Sequence, residues 1–292
     1  MLQIGKTVSL EVLRAVPMGV ILGSAEDEVL LPTRYVPDDT SPGDSVEVFL
    51  YTDSEDRPIA TTERPLAQAD EFACLRVASV NPVGAFLDWG LPKDLLLPFR
   101  SQLQRVCPEQ KIVVRVLCDA ISGRPVATAR LERFLEEPPR DLRVGQPVQL
   151  LIYEETDLGS KAIVNERFGG LLYREFAPGD LRNEDIRVGA SPKGYVQRIR
   201  ADGKIDLRLT PGGKAGAESA REILLEALQR AGGRLELSDH SQPEEIRSTL
   251  GLSKRAFKRA VGALYRERRI QLSDAAIVSI ESRDESIHTT ES

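Results

Sequence analysis

One stretch of this 292-residue chain combines flat rings with positive charge. Phe86 and Trp89 stand among Arg76, Lys93, Arg100 and Arg115, and residues 72–135 hold 9 Lys and Arg against 5 Asp and Glu. Rings stack on any nucleobase and cations meet the phosphates between bases, so these residue types together suit a single-stranded nucleic acid. A second group lies further on: Lys254, Arg255, Lys258, Arg259, Arg266, Arg268 and Arg269 face only Glu267 between residues 254 and 269. That bias favours phosphate contact over an ordinary solvated surface. No Asn or Gln accompanies those cations, so the contact expected is with the backbone rather than with base edges.

Other chemistry has little to stand on. There is no GxxxxGK[ST] phosphate loop and no GxSxG elbow, and the two histidines, His240 and His288, fall in expected loops. Asp88, Asp94 and Asp119 could gather on one barrel as metal ligands, but turn and surface roles are commoner for such residues. Cys74, Cys107 and Cys118 are odd in number and form no CxxC pair, which argues against disulfides and zinc and for buried structural thiols. The sequence therefore gives no catalytic residues, no metal and no cofactor.

The elements that must position these residues announce themselves by repetition. Gly19-Val20-Ile21-Leu22, Leu30-Leu31-Pro32 and Arg57-Pro58-Ile59-Ala60-Thr61 recur as Gly84-Ala85-Phe86-Leu87, Leu96-Leu97-Pro98 and Arg124-Pro125-Val126-Ala127-Thr128. A period of roughly 65 residues is that of duplicated small domains, not of solenoid turns. Units this small have modest cores and are expected to pack on their neighbours. Their charges differ: residues 1–71 carry 5 Lys and Arg against 14 Asp and Glu, so the first unit repels phosphate while the second attracts it.

Within the second unit, strands are expected over 72–80, 85–90, 94–97, 111–119 and 125–130, with Asn81-Pro82-Val83-Gly84 turning the first into the second. Five short strands with one longer excursion predict a small antiparallel barrel of the oligonucleotide-binding type. Side chains on a strand alternate between core and surface, so Phe86 and Trp89 are weighed between the two, with Trp89 expected outside. A divergent third copy runs from Val144 to Leu209. There Tyr153, Phe168, Tyr173, Phe176 and Tyr195 mix with Arg167, Arg174, Arg198 and Arg200, and most of the aromatics are expected in the core.

After the breaker-rich linker Pro211-Gly212-Gly213-Lys214-Ala215-Gly216 the periodicity becomes helical. Ile223, Leu224, Ala227, Leu228 and Ala231 form a stripe ended by Gly232-Gly233, and a short strand follows at 234–237. Pro243 starts a second helix, and Ser253 caps a third that buries Phe257, Val261 and Leu264. Two strands around Ser273-Asp274 complete the order helix, strand, helix, helix, hairpin, which is that of a winged helix.

The run Val83-Gly84-Ala85-Phe86-Leu87-Asp88-Trp89-Gly90, followed by Asp94-Leu95-Leu96-Leu97-Pro98, Val113-Val114-Arg115-Val116 and Asp119 before Gly123-Arg124, resembles the RNA-binding repeat of ribosomal protein S1. The first unit is similar more loosely. Phe86 matches an aromatic position of that repeat, whereas Leu97 stands where many such domains have a stacking histidine. Three S1-like barrels followed by a winged helix resemble the conserved virulence factor B family of bacteria over nearly the whole chain. The expected fold is mainly β with a C-terminal α+β module. Its parts are an acidic barrel (1–70), a basic barrel that matches best (71–137), a divergent barrel (138–212), a winged helix (213–280) and a disordered tail (281–292).

The resemblance implies an RNA-binding regulator that influences gene expression after transcription. Its site is expected at Arg76, Phe86, Trp89, Lys93, Arg100 and Arg115 together with Lys254, Arg255, Lys258, Arg259, Arg266, Arg268 and Arg269. Single-stranded RNA is the expected partner. The alternatives are a transcription factor whose winged helix reads duplex DNA, an RNA-processing enzyme, and a module that contacts the ribosome or RNA-processing proteins. No apolar stretch approaches the roughly 20 residues of a membrane helix, and the first residues lack the pattern of a signal peptide, so a cytoplasmic protein with no membrane partner is expected.

Overall fold

The computed structural model describes residues 2–24, 27–173, 186–211, 213–273 and 275–280. The chain divides into two compact units, Met1–Leu135 and Glu136–Ser292. The first holds two barrels, and the second holds a third barrel and a winged helix.

In the first barrel, β1 (Thr7–Val16), β2 (Gly19–Gly23), β3 (Glu28–Pro32), β4 (Ser45–Thr52) and β5 (Pro58–Thr61) close in the order β1-β2-β3-β5-β4, with β3 and β5 parallel. The same ring forms from β6 (Phe72–Asn81), β7 (Gly84–Asp88), β8 (Leu95–Pro98), β9 (Lys111–Cys118) and β10 (Pro125–Thr128). It forms again from β11 (Pro147–Thr156), β12 (Gly159–Val164), β13 (Phe168–Tyr173), β14 (Lys193–Ile199) and β15 (Ile205–Arg208).

The repeated sequence landmarks have a physical reason. A Cβ on Gly19, Gly84 or Gly159 would lie 2.0, 2.5 or 2.1 Å from the carbonyl oxygen of Leu31, Leu97 or Leu172, so at this point of each barrel the second strand passes too close to the third for any side chain. The long first strand of each barrel also breaks register at the same place, between Val12 and Arg14, Val77 and Ser79, and Ile152 and Glu154. Such bulges bend a strand enough to pair with neighbours on both sides of a closing barrel. Inward residues then alternate as the pattern demands: Leu22, Leu31 and Leu50 fill the first barrel, Leu87, Leu97 and Val114 the second, and Ile152, Val164 and Leu207 the third.

The two barrels of the first unit share a core. Phe49 and Tyr51 of β4 and Ala67 of the connecting segment join Trp89, Leu91 and Val106 in one buried cluster with the second barrel's interior. The expected packing of neighbouring small domains is met here.

The winged helix comprises α1 (Gly213–Arg230), β16 (Arg234–Leu235), α2 (Pro243–Leu250), α3 (Lys254–Arg266), β17 (Ile270–Leu272) and β18 (Ile277–Ser279). Its sheet runs β16-β18-β17. Leu224, Leu228, Ile246, Leu250, Phe257, Val261 and Leu264 form its core. Two boundaries differ from expectation: α1 already begins at Gly213, inside the stretch read as a linker, and Ala231 at its end is exposed. Local glycines do not stop a helix whose apolar face at Ala220, Leu224 and Leu228 is buried. Asp274 and the tail 281–292 lie outside the described residues. Among the described residues no helix is long and apolar enough to cross a membrane.

Candidate nucleic-acid interface

The outer side of the second barrel carries a half-exposed apolar stripe. Phe86 on β7 pairs with Leu96 on β8, Leu96 with Val126 on β10, and Val126 with Leu117 on β9, and all four are partly buried. Loop tips extend the apolar surface, with Val83 between β6 and β7 and Ile121 between β9 and β10 standing 59% and 97% exposed. The outer faces of the second and third strands and these two loops are the parts of an oligonucleotide-binding barrel that meet its ligand.

Cations gather next to this face, and some were not foreseen. A short 3-10 turn at Phe99–Ser101 follows β8; Arg105 lies over the Phe99 ring with its guanidinium carbon 3.6 Å from the centroid, and Arg130 donates to the Arg100 carbonyl. Among the described residues Arg105 and Arg130 have no carboxylate partner. Arg100 is 81% exposed and only 3.8 Å from Asp119, a loose pair in water. The signal for Phe99 and Arg105 lay in the sequence: an aromatic directly after Leu-Leu-Pro, with arginines one and six positions on.

Other expected site residues have different roles. Trp89 is 2% exposed and packs edge-on against Phe49, with ring centroids 5.6 Å apart, and its indole N–H donates to the Lys93 carbonyl at 2.7 Å. The expectation of a surface tryptophan is thus corrected. β7 ends at Asp88, so Trp89 lies beyond the strand, where alternation no longer sets direction, and it turns into the seam between the barrels. Lys93 likewise clamps the first barrel, donating to the Asp53 carbonyl and Thr52 Oγ1 and pairing with Asp56 at 3.2 Å. Arg124 meets the same Asp56 at 2.6 Å.

Arg76 donates to Asp88 and to Glu109, which holds its guanidinium above the usual value; the bond from Arg76, then the Gly90 N–H, holds the Asp88 carboxyl below its own. Arg115 has a largely buried side chain between the rings of Phe72 and Phe134, 5.0 and 4.7 Å from their centroids, and 3.8 Å from Asp70. Both arginines are occupied by the fold. Nor do the three aspartates gather: Asp88 serves Arg76, burial and then the Asp88 charge raise Asp94, and Asp119 is lowered by accepting from the N–H and hydroxyl of Ser122 in its own loop. The thiols are less buried than expected, with Cys107 and Cys118 exposed and Cys74 intermediate. Cys118 donates to the Ile4 carbonyl, so it stands at a contact between barrels rather than inside one.

On the third barrel, only Phe168 of the described aromatics is buried, whereas Tyr153, Tyr173 and Tyr195 are intermediate. Apart from Phe168 the core of this barrel is aliphatic, and the three tyrosines are half-buried outside it. Arg200 bonds Asp206 at 2.7 Å and the Tyr173 hydroxyl, and Arg167 pairs with Glu136 at 2.6 Å; Arg198 is exposed. Arg174 and Phe176 fall outside the described residues.

The cations of the winged helix are placed by α3. Ser253 caps this helix by accepting from the Ala256 N–H at 3.2 Å, which fixes where its first turn begins. Phe257, Val261 and Leu264 turn inward, leaving Arg255, Lys258, Arg259 and Arg266 exposed and Lys254 intermediate. Lys258 lies 3.8 Å from Asp239, Arg266 donates to the Gly262 carbonyl, Arg268 is exposed after the helix and Arg269 is half-buried. Glu267 does not neutralise this surface, because Arg221 of α1 takes it at 2.5 Å. Among the described residues Lys254, Arg255, Arg259 and Arg268 have no carboxylate partner.

Two family models match. The CvfB-like winged helix domain matches residues 222–278, and the S1 domain matches residues 4–63. The chain is similar to proteins named conserved virulence factor B. It is 23% identical to conserved virulence factor B of Staphylococcus epidermidis over 82% of this chain and 81% of that one. It is 28% identical to uncharacterized protein YitL of Bacillus subtilis over 91% of this chain and 90% of that one. A crystal structure of a multidomain protein with nucleic acid binding domains from Streptococcus pneumoniae aligns with 95% of this chain and 99% of its own, at 21% identity and a TM-score of 0.44. The S1 match falls on the acidic first barrel, although the motifs of the repeat are fullest in the second. What the first barrel keeps is the set of residues that closes the ring, Gly19, Leu22, Leu31 and Ala60, which do not depend on surface charge. S1 barrels and winged helices are nucleic-acid-binding modules.

Proposed function

We propose that this chain binds single-stranded RNA and acts, without catalysing a reaction, as a cytoplasmic regulator of gene expression after transcription. Two surfaces do the binding: the outer face of the second barrel, with Phe86, Phe99, Arg100 and Arg105, and the exposed cations of α3. The observation that carries this reading is that Lys254, Arg255 and Arg259 of α3 have no carboxylate partner among the described residues, while Lys258 has only the loose Asp239 pair and Glu267 is held by Arg221. Such a surface attracts phosphate irrespective of sequence, and the lack of Asn or Gln on α3 leaves nothing suited to reading adenine. Barrels of this type accept bases only when they are unstacked from a duplex, which favours single strands. Each surface alone supports weak binding, and linking them raises the apparent affinity wherever one RNA spans both.

Fluorescence anisotropy of labelled oligouridylate, with unlabelled duplex DNA as competitor, tests this. Duplex should compete poorly, and joint replacement of Lys254, Arg255, Lys258 and Arg259 by alanine should weaken binding and flatten its salt dependence. Duplex outcompeting RNA would establish a DNA-binding regulator instead.

A further inference from the structure

The excursion between β8 and β9 is held at two points. Gln102 is buried and donates from Nε2 to the Leu97 carbonyl at 3.1 Å, and Val106 joins the core shared by the first two barrels. These anchors fix the backbone on either side of the segment that carries Arg105, whose guanidinium carbon lies 3.6 Å from the centroid of the half-buried Phe99 ring. The six other arginine–ring pairs among the described residues stand 4.5 to 5.8 Å apart. A separation of 3.6 Å is that of two carbons in contact, so the guanidinium lies flat over the middle of the ring. Turned on edge, it would drive a nitrogen into the ring. One face of the cation is therefore covered, and the other is turned away from the ring on an exposed side chain with no carboxylate partner among the described residues. Folding does not demand this stack. An exposed cation–π contact returns less than the ordering of a long arginine side chain costs, and the first barrel makes the same turn after Leu30-Leu31-Pro32 with Thr33 in place of the ring.

We propose that the outer face of Arg105 stacks a purine base, so that ring, guanidinium and base form successive layers beyond the end of β8. The inference rests on the RNA-binding reading above and assigns a base site to it. Nucleobases stack on arginine planes as they do on aromatic rings. Arg105 acts here as a plane and not as a point charge, because a guanidinium is flat and weakly hydrated whereas a lysine ammonium offers no face. A purine covers that plane more fully than a pyrimidine, and stacking strength sets the preference at sites of this kind. Arg100 and Arg130, exposed and joined through the Arg100 carbonyl, remain for the flanking phosphates.

Oligouridylate carrying a single 2-aminopurine, placed in turn at each position, tests the stack on the full chain, because the fluorescence of that base falls when it stacks. The wild type should quench the fluorescence and bind about fivefold more tightly than it binds plain oligouridylate when the purine occupies the Arg105 site. R105K keeps the charge and removes the plane, so at that position it should lose both the quenching and the fivefold gain while the salt slope stays unchanged. F99L, which removes the support beneath the plane, should do the same. R105K alters an exposed residue and so keeps the test independent of folding should F99L melt early. An R105K chain that quenches every position as the wild type does would overturn the stack and leave the RNA-binding reading intact. A wild type that binds neither oligouridylate nor its purine-substituted forms would overturn that reading and the stack with it.

Discussion

The first and second barrels close around equivalent residues and differ at their surfaces. Across the outer strands, Ile21, Leu30, Ile59 and Tyr51 stand where the second barrel has Phe86, Leu96, Val126 and Leu117. In the first barrel, Tyr51 is 4% exposed and Ile59 packs against the shared core, so the edge of that stripe is spent on its neighbour. In the second all four members are half-exposed, one of them is aromatic, and cations flank the stripe. The acidic barrel also supplies Asp53, Asp56 and Asp70 to Lys93, Arg124 and Arg115. Duplication thus produced a support, which shapes and partly neutralises its twin, and a face left free for a ligand.

The largest effect should come from Trp89→Ala, which would empty the seam between the two barrels. A loss of about 3 to 5 kcal/mol in urea unfolding is expected for a buried tryptophan. Little loss of stability with a large loss of RNA affinity would instead make Trp89 a stacking ring and undo the division of labour. Next, Phe86→Ala should remove about 1 to 3 kcal/mol of oligouridylate binding with little change in stability, while Ile21→Ala leaves binding unchanged. Equal losses from the two would mean that both barrels read RNA.

Smaller still is the effect of Asp56→Asn, which removes a carboxylate shared by Lys93 and Arg124. It should cost about 0 to 1 kcal/mol of stability, as exposed pairs do, and steepen the salt dependence of RNA binding by freeing cations on the second barrel. The smallest signal is a titration. Burial raises the Tyr51 hydroxyl to about 12, so it should ionise last in an absorbance titration. A folded value above the unfolded one gives a stabilisation that is complete below about pH 10 and fades as the pH rises toward 12. Ionisation of all six tyrosines together near pH 10 would show the seam open to water.

Much of the fold was legible because its determinants are local. The glycines at 19, 84 and 159 mark strand contacts that exclude a side chain, and Ser253 marks the start of α3, where the first turn needs an acceptor. The site was legible in part. Phe86, Arg100 and the cations of α3 lie where strand and helix periodicity put them. Trp89, Lys93 and Arg115 do not, because their partners Phe49, Asp56 and Asp70 are distant in sequence and only the packing of two barrels and their connecting segment brings them together.

Photocrosslinking of oligoribonucleotides bearing 4-thiouridine to the full chain, with the attached peptides located by mass spectrometry, bears most directly on the division between the barrels. Crosslinks should fall on β7, β8 and the Phe99–Ser101 turn and on α3, with none on β2 and β3. Crosslinks concentrated on β2 and β3, with β7 and β8 clean, would contradict the account.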